Sequence, residues 1–135
     1  MEEPEWIRDD VVLAIHSMQI AEHGGKDGVL SEGALDASLA NPKHYFFYTE
    51  PKPDIPAIAA RYAHSITANH PFCDGNKRTA AVACELFLEL NAYELNASDH
   101  DSYTMYIRLA SSEIDADEFA NWVRENSERA GKRSR

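Results

Sequence analysis

The sequence contains little cysteine, no repeat of fixed period and no long apolar run. Its two cysteines among 135 residues, Cys73 and Cys84, are too few for a disulfide scaffold and lack the spacing of a zinc site. No apolar run approaches the roughly 18 residues that a membrane-spanning helix needs. The stretch Met1–Glu5 is acidic where a signal peptide would be basic. We therefore expect a cytoplasmic protein with reduced thiols and no membrane association.

Basic residues are also scarce. Thirteen lysines and arginines stand against 23 aspartates and glutamates, so the formal net charge is −10. A surface this acidic repels phosphate backbones, and direct binding of nucleic acid is not expected. Hydrophobic residues at 44% and charged residues at 27% are close to globular averages. These features predict one domain over residues 1–127, followed by a basic, disordered tail over residues 128–135.

What the sequence does contain is a series of helical patterns. They predict an all-α bundle of about six helices around a central buried helix. The first predicted helix is capped by Asp9 or Asp10 and ends at Gly24-Gly25, and the second runs from Ser31 to Ala40. The third is capped by Asp54 and ends before His70-Pro71, and the fourth runs from Lys77 to Leu90. The fifth includes Tyr103 to Ala110, and the sixth begins at a capping box of Asp115 and Glu118. A short extended piece is expected at Tyr93–Asn96.

Two of these helices carry specific burial predictions. The predicted buried face of the first helix consists of Val11, Ala14, Ile15, Met18 and Ala21, at i, i+3, i+4 spacing. The fourth helix, residues 77–90, is apolar on nearly every side. A helix of that kind is normally buried, so we expect it at the centre of the bundle.

The segment from Lys43 to Pro53 reads as irregular. It follows the predicted stop at Asn41-Pro42 and contains a run of aromatic-type residues, His44 to Tyr48, beside two further prolines. The pattern is compatible with an edge strand, with an exposed flap, or with a loop whose aromatic side chains fold back onto the core. We favour the loop.

One segment, residues 70–78 with the sequence HPFCDGNKR, concentrates reactive residue types at the start of the predicted fourth helix. Gly75 and Asn76 readily adopt left-handed or bridging conformations, so several backbone N–H groups can point to one place. A helix N-terminus favours an anion at that place, and Lys77 and Arg78 add two cations. The combination predicts a phosphate-binding site.

The same segment holds a candidate metal ligand and a candidate base. Asp74 offers the oxygen ligand that suits Mg²⁺, which takes one or two carboxylates together with phosphate oxygens. His70 can accept a proton near pH 7. These are the parts that phosphoryl or nucleotidyl transfer requires. The alternatives are a structural histidine, a turn-forming carboxylate and a surface pair of cations.

The other histidines are assigned no chemistry. His16 lies on a mostly apolar helix, and we interpret it as structural. His64 and Arg61 share one side of a helix, which is either a contact surface for a nucleotide or an antitoxin or a solvated face, and we favour the solvated face. The histidines that are too scattered to form a metal site are His23, His44 and His100.

Residues 70–78 closely resemble the signature of the Fic/Doc proteins, His-Pro-Phe-x-Asp/Glu-Gly-Asn-Gly/Lys-Arg. Further similarity lies in Leu13–His16 followed by Gly24-Gly25, in Leu30–Leu35, in Asn76–Ala80 and in Leu86–Asn91. Within the superfamily the sequence resembles the Doc (death-on-curing) toxins, and the resemblance covers nearly the whole chain. It implies a mostly helical Fic fold.

The resemblance also implies a role for each motif residue. His70 would activate a hydroxyl group of a target protein, and Asp74 would bind Mg²⁺. The backbone of Gly75 and Asn76 would hold the phosphates of ATP or of another nucleoside triphosphate. Arg78 would neutralise charge on the distal phosphate.

Three positions bear on which group is transferred. AMP-transferring Fic enzymes usually have glycine in place of Lys77 and a second arginine in place of Ala81. In Doc toxins the same changes accompany transfer of the γ-phosphate, so the resemblance implies a protein kinase. Gly75, however, is the Fic-like residue at its position. The alternatives are therefore a Fic-type AMP transferase and a catalytically inactive antitoxin-binding module.

The resemblance implies two protein partners. Doc acts on elongation factor Tu, and its phosphorylation halts translation. Doc toxins are held inactive by an antitoxin whose C-terminal segment folds into a groove on the toxin. The acidic surface of this chain suits a basic amphipathic helix. We find no Ser/Thr-x-x-x-Glu motif of the self-inhibited Fic type, so we expect inhibition by a partner.

Overall fold

The computed structural model describes residues 2–130, which form six helices and two short strands. In chain order the elements are α1 (Asp9–His23), α2 (Glu32–Tyr48), α3 (Ile55–Asn69), α4 (Asn76–Leu90), β1 (Tyr93–Leu95), α5 (Asp99–Ala110), α6 (Ala116–Glu125) and β2 (Ser127–Arg129). The predicted all-α bundle is confirmed. None of the helices in the described range is long and apolar enough to cross a membrane.

Side-chain caps explain where most of the helices begin. Asp54 accepts a hydrogen bond from the backbone at the start of α3, as predicted. Asp115 and Glu118 form the predicted reciprocal capping box at the start of α6. Ser31 and Ser98 cap α2 and α5 in the same way as Asp54. These starts depend on residues three positions apart, so the sequence alone reveals them.

The predicted cap of α1 is wrong, and of its predicted buried face only Ile15 is buried. Arg8 occupies the N-cap position without a side-chain cap, and Asp9 and Asp10 lie in the first turn. The buried side chains of α1 are Val12, Ile15 and His16. Met18 is 61% exposed, although its spacing placed it on the predicted face. The buried side of α1 differs from the predicted face because His16 packs against the loop that follows α3, as described below.

The predicted stop at Asn41-Pro42 is also wrong, because α2 continues through Pro42 to Tyr48. Proline lacks the N–H group that would bond the carbonyl of Ser38 one turn earlier. That carbonyl instead accepts a hydrogen bond from the hydroxyl of Ser65 on α3, at 2.8 Å. A group from a neighbouring helix thus replaces the missing bond of α2.

The aromatic residues at the end of α2 are therefore helical, and none of the three predicted conformations occurs. Phe46 is 3% exposed and packs edge-on against Trp6, with 6.0 Å between ring centroids. Phe47 is 48% exposed and Tyr48 is 83% exposed. Because a helix directs successive side chains to different sides, one ring enters the core while its neighbours face solvent.

The bundle has a central buried helix, but that helix is α3. Ten of its fifteen residues are buried, including Ile58, Tyr62 and Ile66. α4 packs along α3, yet Val82 and Leu90 are 36% and 44% exposed, so α4 is not buried on every side. α3 takes the central place because α2, α4, α5 and α6 all pack against it.

A small antiparallel ribbon closes the described part of the chain. The extended piece predicted near Tyr93 is β1, and it pairs with β2, with Tyr93 opposite Arg129. The N–H of Ala130 continues the pairing by donating to the carbonyl of Ala92 at 2.7 Å. The boundary predicted at residue 127 therefore falls within β2, because backbone pairing with β1 orders residues 127–129. The rest of the predicted tail, residues 131–135, lies outside the described residues.

Candidate active site

The motif loop, residues 70–75, connects α3 to α4. Two residues in the left-handed conformation bound it: His70, with φ of 51°, ends α3, and Gly75, with φ of 79°, precedes α4. Phe72 is fully buried at its middle. The backbone of the loop also pairs with residues 28–31. The loop is thus anchored at its centre, while its two ends form exposed surface.

Asn76 shapes the motif loop through its side chain. Its Oδ1 accepts from the N–H of Phe72 at 3.0 Å, and its Nδ2 donates to the carbonyl of Phe72 at 2.9 Å. Asn76 is buried and is the first helical residue of α4, so the left-handed or bridging conformation expected of it is wrong. The sequence showed an asparagine before a helix, but it did not show that this amide closes a ring of hydrogen bonds across the loop.

His16 packs against the buried side of the motif loop, which agrees with the prediction that this histidine has a structural role. The imidazole is 3% exposed and stacks on Phe72, with 3.8 Å between centroids and 8° between planes. Its Nε2 lies 2.8 Å from the carbonyl oxygen of Asp74, so Nε2 is the protonated nitrogen that donates to it. Its Nδ1 faces the carboxylate of Asp27 at 3.8 Å.

The end of α1 fixes the side chain of Asp74. Its Oδ2 accepts a hydrogen bond from the backbone N–H of Lys26 at 2.6 Å. Gly25 has φ of 115°, and a Cβ atom there would lie 3.1 Å from the Cβ of Asp74. The Gly24-Gly25 pair ends α1 as predicted. Gly25 also leaves room for Asp74, which the sequence did not indicate.

Positive charge collects at the start of α4. Gly75 is the N-cap residue, and no side chain caps the helix. The first N–H groups of a helix have no partner within it, and the helix dipole is positive there. Lys77 and Arg78 are exposed, and neither forms a side-chain hydrogen bond or ion pair with any residue between 2 and 130. The site therefore presents unpaired donors and cations to an anion.

Two adjoining pockets open at this helix end. The larger, which we call the cleft, has a volume of about 730 Å³ and lies between α4, the end of α1, β1 and α5. The smaller, the side pocket, has a volume of about 220 Å³ and reaches Thr67 and Ala110. The residues that line both are Asp74, Gly75, Asn76 and Lys77. Arg78 lines only the cleft, and His70 lines only the side pocket.

His70 is exposed at the edge of the side pocket. Its side chain forms no hydrogen bond, ion pair or ring contact with the residues that the structure describes. An imidazole in this state is available to a group that enters the pocket. The six predicted site residues, His70 and residues 74–78, are therefore brought together around one helix end.

The motif loop and α1 lie within a region that is similar to a known protein family. The profile of the Fic/DOC family matches residues 6–88, which include the motif loop and its supports on α1. This chain belongs to the Fic/Doc family. The resemblance inferred from the sequence is thereby confirmed.

Two relatives place the chain more closely within the Fic/Doc family. Toxin Doc of Mycolicibacterium smegmatis is 34% identical over 100 residues, which cover 72% of this chain and 76% of that protein. Protein kinase doc of Escherichia phage P1 is 27% identical over 118 residues, which cover 87% of this chain and 92% of that protein. The chain is thus a Doc-like member of the family.

The cleft of this Doc-like protein is also lined by Glu85 of α4, an ionisable group that is not among the predicted site residues. Its Oε2 accepts a hydrogen bond from the hydroxyl of Tyr106 at 3.3 Å. Burial raises the pKa of Glu85, and the nearby carboxylates of Glu89 and Asp99 raise it further, while the bond from Tyr106 opposes the shift. Burial likewise raises the pKa of the neighbouring Cys84 thiol to about 12, so that thiol is inert.

The donor set fits a Mg²⁺ ion that is shared with phosphates. Within residues 2–130 there is no group of three or more histidine, cysteine, aspartate or glutamate side chains that could hold a metal by themselves. Asp74 is the carboxylate beside the start of α4, and one of its oxygens already accepts from Lys26. Because Mg²⁺ is commonly bound by one or two carboxylates plus substrate phosphates, Asp74 is suited to that role.

His64 and Arg61 lie outside both pockets. The guanidinium of Arg61 stacks on the ring of Tyr45 at 4.1 Å and lies 3.5 Å from the carboxylate of Asp117. Burial lowers the pKa of His64, and the charge of Arg61 lowers it further. This side of α3 is therefore partly covered by α2 and α6 rather than a fully solvated face.

Proposed function

We propose that this Doc-like protein is the toxin of a toxin–antitoxin pair and transfers the γ-phosphoryl group of a nucleoside triphosphate, ATP in the first instance, to a hydroxyl side chain of a target protein. The observation that carries the proposal is the junction of the two pockets at the start of α4. Arg78 lines the cleft, His70 lines the side pocket, and Lys77 lines both. A triphosphate in the cleft and a hydroxyl in the side pocket would meet at the residues that the pockets share.

Each residue then has a defined task. His70 takes the proton of the target hydroxyl as its oxygen bonds to the γ-phosphorus. The bond from the γ-phosphorus to the β–γ bridging oxygen breaks, and the nucleoside diphosphate leaves. The N–H groups at Gly75 and Asn76 hold phosphate oxygens, and Lys77 and Arg78 stabilise the charge that spreads over the transferred group.

Asp74 would hold Mg²⁺ together with phosphate oxygens. When bound, the ion supplies neutralisation of phosphate charge. The hydrogen bond from Lys26 keeps the Asp74 carboxylate beside the helix end. The support of Asp74 by Gly25 and Lys26 is therefore part of the same site.

The similarity to Doc toxins supports the proposed partners. We propose elongation factor Tu as the target protein, and an antitoxin that docks its C-terminal helix in a groove as the inhibitor. The relative from phage P1 is named a protein kinase, which favours phosphoryl transfer. The Fic-like residue Gly75 keeps AMP transfer as the second candidate.

The test uses ATP labelled on either the α- or the γ-phosphate, with Mg²⁺, the purified protein and elongation factor Tu. We expect label on elongation factor Tu only from γ-labelled ATP. Transfer from α-labelled ATP would instead establish AMP transfer. Absence of both, with elongation factor Tu and with a bacterial lysate, would leave the inactive antitoxin-binding module. Lys77→Gly is expected to abolish γ-transfer or to shift transfer towards AMP.

A further inference from the structure

The cleft continues along α4 well beyond the motif loop. Arg78, Ala81 and Glu85 all line it and stand at i, i+3 and i+7, so they share one face of the helix. At 1.5 Å of rise per residue, Glu85 lies about 10 Å along the helix axis from Arg78. The cleft thus has a cationic end at the motif loop and a carboxylate about 10 Å further along α4.

Glu85 retains unused capacity as a hydrogen-bond acceptor. A carboxylate offers about four lone-pair positions, and the hydroxyl of Tyr106 uses one of them. Glu85 forms no ion pair with any residue of the described chain, although Lys77 and Arg78 line the same cleft. Burial makes the ionised form of this carboxyl less stable, so a hydrogen-bond donor from a ligand would stabilise it.

The side chains around Glu85 suit a nucleoside better than further phosphate. Asp99 adds a second carboxylate to this part of the cleft, which disfavours another anionic group. Tyr103 lines the cleft and is 69% exposed, so its ring is accessible to a planar base. The buried residues of α5 are instead Tyr106 and Leu109.

We infer that Glu85 marks a nucleoside subsite: the triphosphate binds at Lys77 and Arg78, and a hydrogen-bond donor of the nucleoside binds the carboxylate of Glu85. The inference rests on the proposed function, because it concerns the same nucleotide. The donors are the ribose hydroxyls or an amino group of the base, and a carboxylate accepts from either. Glu85 is then a residue that determines affinity for the nucleoside, and it does not act on the phosphates.

The experiment measures binding to the full chain by titration calorimetry, in Mg²⁺, with a non-hydrolysable ATP analogue and with inorganic tripolyphosphate. Glu85→Ala is expected to weaken binding of the ATP analogue about tenfold or more, because a hydrogen bond to a charged group is lost. Binding of tripolyphosphate should stay within about twofold of wild type. Glu89→Ala is the matched control, since Glu89 lies one turn further along α4, is exposed and does not line the cleft.

Two analogues distinguish the donors. A 2′,3′-dideoxy analogue lacks the ribose hydroxyls, and a purine analogue without the exocyclic amino group lacks the base donor. The difference between wild type and Glu85→Ala should vanish with one of them, which identifies the contact. A difference that persists with both overturns the inference.

Other outcomes separate the inference from the proposed function. Equal or tighter binding of the ATP analogue by Glu85→Ala, or equal affinity of wild type for tripolyphosphate and the ATP analogue, overturns the nucleoside subsite alone. Failure of the folded wild-type protein to bind either ligand overturns the proposed function as well. Thermal unfolding of each variant verifies that it is folded.

Discussion

His70 is the residue whose removal should separate nucleotide binding from transfer. It lines the side pocket and not the cleft, where the triphosphate is proposed to bind. His70→Ala is expected to lower γ-phosphoryl transfer by about 10²- to 10⁴-fold, the usual contribution of a positioned base, with nucleotide affinity unchanged. The measurement is single-turnover transfer together with calorimetry. His100→Ala, on the exposed side of α5, is the control, and transfer by His70→Ala within tenfold of wild type would contradict the role of a base.

Asn76 should prove more important for stability than its charged neighbour. Asn76→Ala leaves the buried N–H and carbonyl of Phe72 without partners. We expect the free energy of unfolding to fall by about 2–4 kcal/mol, since each unsatisfied buried group costs about 1–3 kcal/mol. Lys77→Ala, at an exposed position, should change it by less than about 0.5 kcal/mol. Urea denaturation measures both, and equal stabilities would show that the ring of hydrogen bonds across the motif loop contributes little.

At the scale of the elements, the path of α2 depends on α3. Ser65→Ala removes the hydroxyl that satisfies the carbonyl of Ser38 and is expected to cost about 1–3 kcal/mol of unfolding free energy. In a Pro42→Ala background, the new N–H at position 42 can bond that carbonyl within the helix. The cost of Ser65→Ala should therefore be smaller in that background. A double-mutant cycle by urea denaturation tests this, and additive costs would exclude the coupling.

The start of α3 and the end of α6 are joined by a pH-sensitive ion pair. Arg124 donates to both oxygens of Asp54, at 2.7 and 3.0 Å, and this hydrogen bonding lowers the pKa of Asp54 below its ordinary value of 3.8. Because the folded-state pKa is the lower one, the stabilisation is present above that ordinary value and is lost as the pH falls through the folded-state pKa.

Asp54→Asn tests the pair while keeping the helix cap. At neutral pH the variant should be less stable by under about 1 kcal/mol, since the pair is partly exposed to solvent. The difference from wild type should disappear as the pH is lowered below 3.8. Thermal unfolding across pH 2.5–7 provides the measurement. A difference that is constant across this range would show that the carboxylate charge contributes nothing.

At the scale of the whole molecule, a net charge of −10 coexists with a local cluster of two cations, Lys77 and Arg78, that have no ion-pair partner among residues 2–130. The cluster is confined to the start of α4, so a small phosphate ligand can reach it while a long polyanion meets the acidic surface around it. We expect no retardation of duplex DNA by the protein at about 50 mM salt, where electrostatic binding is strongest. Binding in the micromolar range in an anisotropy titration would contradict this expectation.

The family fold itself could be predicted because its determinants are close together in the sequence. The caps at Asp54 and Asp115, the glycines that end α1, and the motif of residues 70–78 each depend on a few consecutive residues. The residues of the candidate site were predictable for the same reason. A contiguous motif at a helix start places its side chains together whatever the rest of the fold does.

The amino-acid sequence by itself determined the number and order of the helices in residues 2–130 and the position of the motif at the start of α4. Tertiary structure alone decided that α2 passes through Pro42, because the compensating hydroxyl belongs to Ser65 on another helix. It also decided that His16 rather than Met18 is buried, because the motif loop packs on that side of α1. Helical periodicity records which residues are apolar, whereas the neighbour that covers each side of a helix comes from distant parts of the chain. For that reason the cleft wall at Glu85 became visible only in the folded protein.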